Sequence, residues 1–349
     1  PYTTLFRSVA EYAFTFEDEQ TTVELSKADL TDKKELPGAS LKVTDEDGNT
    51  VDEWVSKEEA HIIKGLIVGK KYKMTETKPA DGYVTAESIE FTVENTKEVQ
   101  KHQMLDDVTK VEISKKDITD SSEVPGAKLI ILDKDGKKVE SWTSTDKPHM
   151  VEKLPVGEYT LREEQAPDGY LIAEDVKFTV KDTGKVQKVK MKDAHPYGKL
   201  VIKKTDSTSK AALSGAEFEL REKESGKVVE KLVTDKTGTA TSGKIPIATY
   251  KNGKVEKTVE YILVETKAPN GYELSSKKEE IRFEYKDGKT KVIEIVKEIK
   301  NTKSPSGSTP TGNSPKTGDS TNIWLPILLA VLSACGIGGV IWYKKKKGN

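Results

Sequence analysis

The sequence predicts an all-β chain of tandem β-sandwich modules, followed by an unstructured linker and one C-terminal transmembrane helix. Three observations carry this prediction. Similar blocks recur at a fixed spacing: Lys115 follows Lys27 by 88 positions and Lys204 follows Lys115 by 89, the length of one small module. Within the blocks, apolar and polar residues alternate between Gly-containing turns, the period of a strand with one buried face. Near the end, residues 323–343 form a run of 21 residues without a charge.

Composition fits several small modules better than one large core. Hydrophobic residues make up 34% of the 349 and charged residues 33%, so little apolar surface is available per module. Lys and Arg number 57 against 58 Asp and Glu, well mixed along the chain, which argues against an electrostatic binder of nucleic acid or anionic membrane. The one cysteine, Cys335, lies in the apolar run, so the modules cannot be stapled by disulfides, the usual device of small secreted domains. The histidines His61, His102, His149 and His195 lack metal-ligand spacing and are read as surface or strand residues without chemistry. No Ser/His/Asp set, HExxH, P-loop or paired-cysteine motif is present, and no cofactor or metal is expected.

The blocks align in order. TVELSKAD, KVEISKKD and KLVIKKTD carry Lys27, Lys115 and Lys204; ELPGASLKV, EVPGAKLII and ALSGAEFEL follow, each with a glycine turn leading into a strand. DEDGN and DKDGK faintly echo a calcium loop but lack its remaining ligands and closing Glu, so they are read as hairpin turns. The third block reads YKMTETKPADGY, YTLREEQAPDGY and YILVETKAPNGY, ending at Tyr83, Tyr170 and Tyr272. A stretch unique to the third copy, residues 245–258, lengthens its Lys-to-Glu spacing to 61 from 49 and 48 and reads as a longer hairpin. The predicted modules are 22–108, 109–196 and 197–303. Residues 1–21 are read as the remnant of a preceding repeat, with Asp18 nine positions before Lys27 as Asp106 is before Lys115. Residues 1–8 match nothing in the repeats and are read as foreign sequence.

Side chains on a strand alternate, so residues i, i+2 and i+4 share a face. Lys27 continues the row of Val23 and Leu25, Lys115 that of Val111 and Ile113, and Lys204 that of Leu200 and Ile202. Glu76 is in phase with Tyr72 and Met74, Glu163 with Tyr159 and Leu161, and Glu265 with Tyr261 and Leu263. On the terminal strands Asp106 follows Met104, Asp193 follows Val189 and Met191, and Asn301 follows Ile299, again in phase. Each module therefore sends a Lys, a Glu and an Asp or Asn inward. Burying isolated charges costs several kcal/mol each, so the groups must neutralise one another. A Lys–carboxylate ion pair bridged by Glu is one outcome; an amide bond between lysine and the Asp or Asn side chain is the other.

The third block resembles the E-box pattern YxLxETxAPxGY of pilins and of the B-type (prealbumin-like) domains of the Cna collagen adhesin. The last copy matches it in full, the second departs at Glu164, and the first inverts Ala-Pro to Pro79-Ala80. The resemblance covers Thr22 to about Thr302. It implies Ig-like, prealbumin-like modules and selects the amide: isopeptide bonds Lys27–Asp106, Lys115–Asp193 and Lys204–Asn301, with Glu76, Glu163 and Glu265 as single-turnover catalysts. Such self-modification does not make the chain an enzyme acting on a substrate.

The C-terminal segment has its own layout. Residues 304–313 (SPSGSTPTGN) form a Pro/Gly/Ser/Thr linker. The uncharged run spans about 31 Å as a helix, enough to cross a bilayer. Trp324, Trp342 and Tyr343 lie at its ends and Lys344 to Lys347 follow, placing the modules outside. Between linker and span stand Ser314, Pro315, Lys316, Thr317 and Gly318. The order of pentapeptide, apolar span and basic tail over residues 314–349 resembles a sortase cell-wall sorting signal, with Ser314 where Leu is usual. That resemblance implies cleavage after Thr317 and transfer of its carbonyl to an amine of peptidoglycan or a pilin subunit, with the membrane touched only by the precursor helix.

The reading is a Gram-positive, wall-anchored surface protein: a rigid stalk carrying an adhesin head upstream of residue 1, which would bind the host ligand. A basal or minor pilin joined by a sortase is the alternative, since no YPK motif is present and TYKNGK lacks its proline. A stalk for a surface enzyme whose catalytic domain lies upstream is the weaker one.

Overall fold

Alternating burial along each segment sets the architecture, because strands with one apolar face must lay that face against another sheet. The computed structural model describes residues 19–305. Asp18, residues 1–8, the linker after residue 305, the pentapeptide 314–318, Cys335, the span 323–343 and the basic tail lie outside the described residues.

The first repeat contains β1 (Thr22–Asp29), β2 (Ser40–Thr44), β3 (Thr50–Val55), β4 (His61–Lys64), β5 (Lys71–Lys78), β6 (Ile89–Thr92) and β7 (Gln100–Asp106). The second contains β8 (Lys110–Asp117), β9 (Lys128–Asp133), β10 (Lys138–Thr143), β11 (His149–Glu152), β12 (Gly157–Gln165), β13 (Val176–Val180) and β14 (Gln187–Asp193). The third opens with β15 (Tyr197–Asp206), β16 (Glu217–Glu222), β17 (Val228–Val233), β18 (Thr239–Thr241) and β19 (Ile245–Pro246). It continues with β20 (Ala248–Lys251), β21 (Lys254–Thr258), β22 (Glu260–Lys267), β23 (Glu279–Arg282) and β24 (Val292–Asn301).

Each repeat is a sandwich of two sheets. In the first, β4-β1-β7 faces β3-β2-β5-β6; in the second, β11-β8-β14 faces β10-β9-β12-β13. The third sets β15, flanked by β18, β19 and β24, against β17-β16-β22-β23. One apolar cluster fills each sandwich; in the second it joins Val111, Ile113 and Met191 of one sheet to Leu129, Ile131 and Leu161 of the other. The first and last strands of every repeat are parallel neighbours: β1 with β7, β8 with β14, β15 with β24. A parallel pair cannot be joined by a tight hairpin, so the rest of the module lies between them in sequence.

The DG sequences form the turns of the β2–β3 and β9–β10 hairpins. Asp45 Oδ1 accepts the N–H groups of Asp47 and Asn49, and Asp133 Oδ1 those of Asp135 and Lys137, side-chain bonds that hold the chain in a turn. The extra sequence of the third repeat pairs β19 with β15 and folds β20 onto β21 as a separate hairpin.

That hairpin reaches back to the second repeat. The Tyr250 ring stacks on His195, centroids 3.4 Å apart and 4° from parallel, and its hydroxyl donates to Gly169 O at 2.8 Å. At the hairpin tip Gly253 has φ +69°, and a Cβ there would stand 1.9 Å from Glu123 O, so both conformation and space require glycine. The first and second repeats meet through other groups: Thr109 N donates to Gly82 O at 3.0 Å, and Asp182 accepts Thr85 N at 2.9 Å and Thr85 Oγ1 at 2.6 Å.

Candidate cross-linking site

The predicted inward residues converge. Lys27, Lys115 and Lys204 are 1%, 2% and 0% exposed, among the largest fully buried side chains described. Each lies on the first strand of its module, above the apolar row that the alternation extends. Asp106, Asp193 and Asn301 end the last strands and are buried as well. In the parallel ladders Lys27 faces Met104, Lys115 faces Met191 and Lys204 faces Ile299, so the acceptor lies two positions further on. A lysine side chain spans that diagonal: Lys27 Nζ contacts Asp106 Oδ1, Lys115 Nζ contacts Asp193 Oδ1, and Lys204 Nζ contacts Asn301 Oδ1.

The glutamates come from the opposite sheet, on β5, β12 and β22, and complete each site. Glu76 Oε1 stands 2.9 Å from Lys27 Nζ, Glu163 Oε2 2.9 Å from Lys115 Nζ, and Glu265 Oε1 3.0 Å from Lys204 Nζ. Each glutamate also accepts a backbone N–H from the residue ten positions on: Ala86 at 2.6 Å, Ala173 at 2.6 Å and Ser275 at 2.9 Å. In the third module Asn301 Nδ2 donates to both Glu265 oxygens, at 2.9 and 3.2 Å.

Burial governs the protonation of these groups. It raises the Asp106 and Asp193 carboxyls to about 7, against the pull of Lys27 and Lys115 and with help from Glu76 and Glu163. It pushes the Lys204 ammonium down. Asp106 Oδ2 and Asp193 Oδ2 are buried and make no hydrogen bond within the protein. An acid held neutral beside an amine is an acyl acceptor beside a nucleophile.

Two further residues adjoin each site, an aspartate that the sequence reading passed over and the closing tyrosine of the third block, to which it gave no role. Two positions past each lysine stands an aspartate, and the tyrosine that ends each E-box donates to it: Tyr83 to Asp29 at 2.7 Å, Tyr170 to Asp117 at 2.7 Å and Tyr272 to Asp206 at 2.8 Å. The signal was available in the threefold repetition of Lys-x-Asp beside that of the closing tyrosine. Among the described residues no His, Cys, Asp and Glu side chains converge as a metal-binding set.

Comparison with known families decides the kinship of these repeats. The family described as SpaA: Prealbumin-like fold domain matches residues 21–107, 109–195 and 198–299. The chain belongs to the SpaA prealbumin-like family. A solved structure of the Bacillus anthracis TIE protein is 27% identical to these SpaA repeats, with a TM-score of 0.54 over 82% of this chain and 52% of that one. The chain thus spans about half the length of that protein. BcpA, the major pilin subunit of Bacillus cereus, is 18% identical with a TM-score of 0.48, covering 82% of this chain and 100% of that one. The full-length major pilin SpaD from Corynebacterium diphtheriae is 18% identical with a TM-score of 0.38, covering 84% and 99%. No curated protein matches the chain.

Proposed function

We propose that the chain is the stalk of a Gram-positive surface protein, mechanically hardened by three autocatalytic isopeptide bonds. One observation carries the reading: in every SpaA repeat a buried lysine on the first strand touches an Asp or Asn on the last, with a glutamate against the lysine.

The chemistry follows from that arrangement. A neutral lysine amine attacks the side-chain carbonyl carbon of Asp106, Asp193 or Asn301. The glutamate takes the proton that the attacking nitrogen loses and returns it to the leaving group. Carbon–nitrogen bond formation expels water from Asp106 and Asp193 and ammonia from Asn301, with no oxidant or cofactor. The closed core supplies proximity and keeps competing water away. The product amide is uncharged, so the cost of holding separate charges in the core disappears.

The bond's placement suits a load-bearing stalk. Tension enters a module at the start of its first strand and leaves at the end of its last. With Lys115 joined to Asp193, force passes from β8 directly into the C-terminal residue of β14 and bypasses residues 116–192. The contacts of His195 and Tyr250 and of Thr85 and Asp182 tie successive modules side chain to side chain. Sequence layout supports wall attachment, with a sortase cleaving after Thr317 and joining its carbonyl to an amine of peptidoglycan or of a pilin subunit.

Intact mass of the chain tests the reading. The expected mass falls below that of the sequence by two waters and one ammonia, with tryptic fragments linked at the three lysines. A mass equal to that of the sequence overturns it and leaves buried ion pairs.

A further inference from the structure

Two short motifs lie opposite each other in every module. On the first strand the aspartate follows the lysine by two positions, so both side chains share a face. On the E-box the tyrosine follows the glutamate by seven positions: Glu76 to Tyr83, Glu163 to Tyr170, Glu265 to Tyr272. The structure joins them at both ends, lysine to glutamate and aspartate to tyrosine. Because the glutamate's strand and the lysine's strand belong to opposite sheets, this segment leaves one sheet and anchors on the other.

What lies just past the anchor matters for the chemistry. The backbone N–H that holds each glutamate's carboxylate belongs to Ala86, Ala173 or Ser275, three positions beyond the tyrosine. The loop therefore fixes the glutamate's orientation, and the tyrosine–aspartate bond fixes the loop. We propose that Tyr83, Tyr170 and Tyr272, each bonded to Asp29, Asp117 or Asp206, are positioning residues for isopeptide formation that hold the catalytic glutamate against its lysine. The proposal rests on the cross-linking reading given above.

The aspartate is built to serve as a fixed post. Its second oxygen accepts backbone N–H groups two or three residues on: Thr31 at 2.7 Å, Thr119 at 2.6 Å, and Thr208 and Ser209 at 2.8 and 2.7 Å. With both oxygens engaged it stays an anion, and a hydroxyl donating to an anion makes a strong, directional bond. Hydrogen bonding, from Tyr83 first at Asp29 and from Ser209 N and then Tyr272 at Asp206, holds both carboxyls down at about 2. This also keeps a second buried acid, directly across the ladder from Asp106 in the first module, out of the acylation: a carboxylate has no leaving group for an amine to displace.

The pair follows the cross-link site rather than the module junctions. Lys153 of the second module adds a bond to Tyr83, and His195 one to Asp117, but neither has a counterpart at Tyr272 and Asp206. Of the side-chain to side-chain bonds that these pairs make among the described residues, the tyrosine–aspartate bond alone is common to all three sites.

The test follows cross-linking in the full chain made by cell-free synthesis and sampled over time by peptide mass spectrometry. Tyr272→Phe removes the hydroxyl and little else. The expected result is that ammonia loss at Lys204–Asn301 slows on the order of 10- to 100-fold, the cost of a small misplacement of a reacting group. Water loss at Lys115–Asp193 in the same molecules keeps its normal rate and serves as the internal clock. Asp206→Asn, which retains an oxygen to accept the hydroxyl, should keep a faster rate than Asp206→Ala. Rates are taken well below the melting temperature, with protease resistance confirming a folded third module, so that reduced stability alone cannot slow the reaction. An unchanged rate for Tyr272→Phe, or equal rates for the two Asp206 variants, overturns the positioning role. Absence of ammonia loss in the unsubstituted chain would instead overturn the cross-linking reading itself.

Discussion

Lys115 and Asp193 stand 78 positions apart in sequence, yet their side chains meet in a closed core between neighbouring parallel strands. A covalent bond there closes almost the whole second module into one loop. The chain-entropy argument used for disulfides gives roughly 4 kcal/mol of stabilisation for a loop of that length. Glu163→Ala removes the proposed proton carrier and leaves the lysine without its second partner. The expected outcome is a gain of one water in the mass of the second module and a fall in its melting temperature, with the other two modules still linked. A second module that still lacks the water would show that Glu163 has no part in the reaction.

The modules should differ in their response to pH while the bonds form. Burial raises Asp106 and Asp193 from 3.8 to about 7, so in the folded, unlinked module these acids stay neutral below about pH 7 and ionise above it. Hydroxide leaves as water from the neutral acid and not from the carboxylate. The attacking amine must be neutral as well, and its neutral fraction grows about tenfold per unit of pH. Water loss in the first two modules should therefore slow below about pH 7 and level off above it, where the gain in neutral amine offsets the loss of neutral acid. Asn301 has no such ionisation, and Lys204 is held below its ordinary value, so its neutral fraction grows as pH rises. Ammonia loss in the third module should instead keep quickening from about pH 7 toward about pH 9. Time-resolved mass spectrometry across that range separates the two behaviours; one shared profile would contradict the assignment of neutral acid acceptors.

Much of the convergence of buried lysine, glutamate and acceptor was legible in the sequence because strand alternation is a strict period. Once Val111 and Ile113 face inward, Lys115 must follow, and the same logic places Glu163 and Asp193. The aspartate two positions past the lysine obeys that alternation too, but it stands at the strand's end, where period alone does not separate a buried acid from a solvated one. Its role depends on Tyr170, 53 positions away, and on a loop crossing between sheets, which no local pattern encodes. The same limit applies to His195. Isolated and without metal-ligand spacing, it reads as a surface or strand histidine, and its stacking on Tyr250 becomes visible only when the next module is in place. The extra sequence of the third repeat announced a hairpin; what the hairpin's tip would meet was not written in its own residues.

That hairpin supplies the next expectation. Tyr250 contributes a parallel ring stack on His195, an edge contact to Tyr170 and a hydrogen bond to Gly169 O, contacts worth about 1 kcal/mol each. Tyr250→Ala should leave all three cross-links intact and each module folded. It should, however, raise amide exchange in the segment around Gly169 and in β20 and β21, and broaden the range of module orientations seen by solution scattering. Gly253→Ala should act in the same direction, since its methyl group would press on Glu123 O. Unchanged exchange and scattering in both variants would mean that this contact does not stiffen the stalk.

Force gives the most direct reading of the proposed stalk. With the Lys115–Asp193 bond in place, a tethered second module can lengthen only by the few residues of β8 ahead of Lys115, because residues 116–192 lie outside the load path. Without the bond, shearing β8 from β14 frees the whole module, and about 80 residues at 3.3–3.6 Å each release on the order of 250 Å of contour. Single-molecule pulling on the chain should therefore show no module-sized extension up to forces that break the tether. The Glu163→Ala chain should add a single step of that length, and Lys115→Ala should reproduce it. Module-sized steps in the unsubstituted chain would show that the buried lysines and their acceptors form ion pairs that yield to force, leaving the stalk to ordinary hydrogen-bonded sheets.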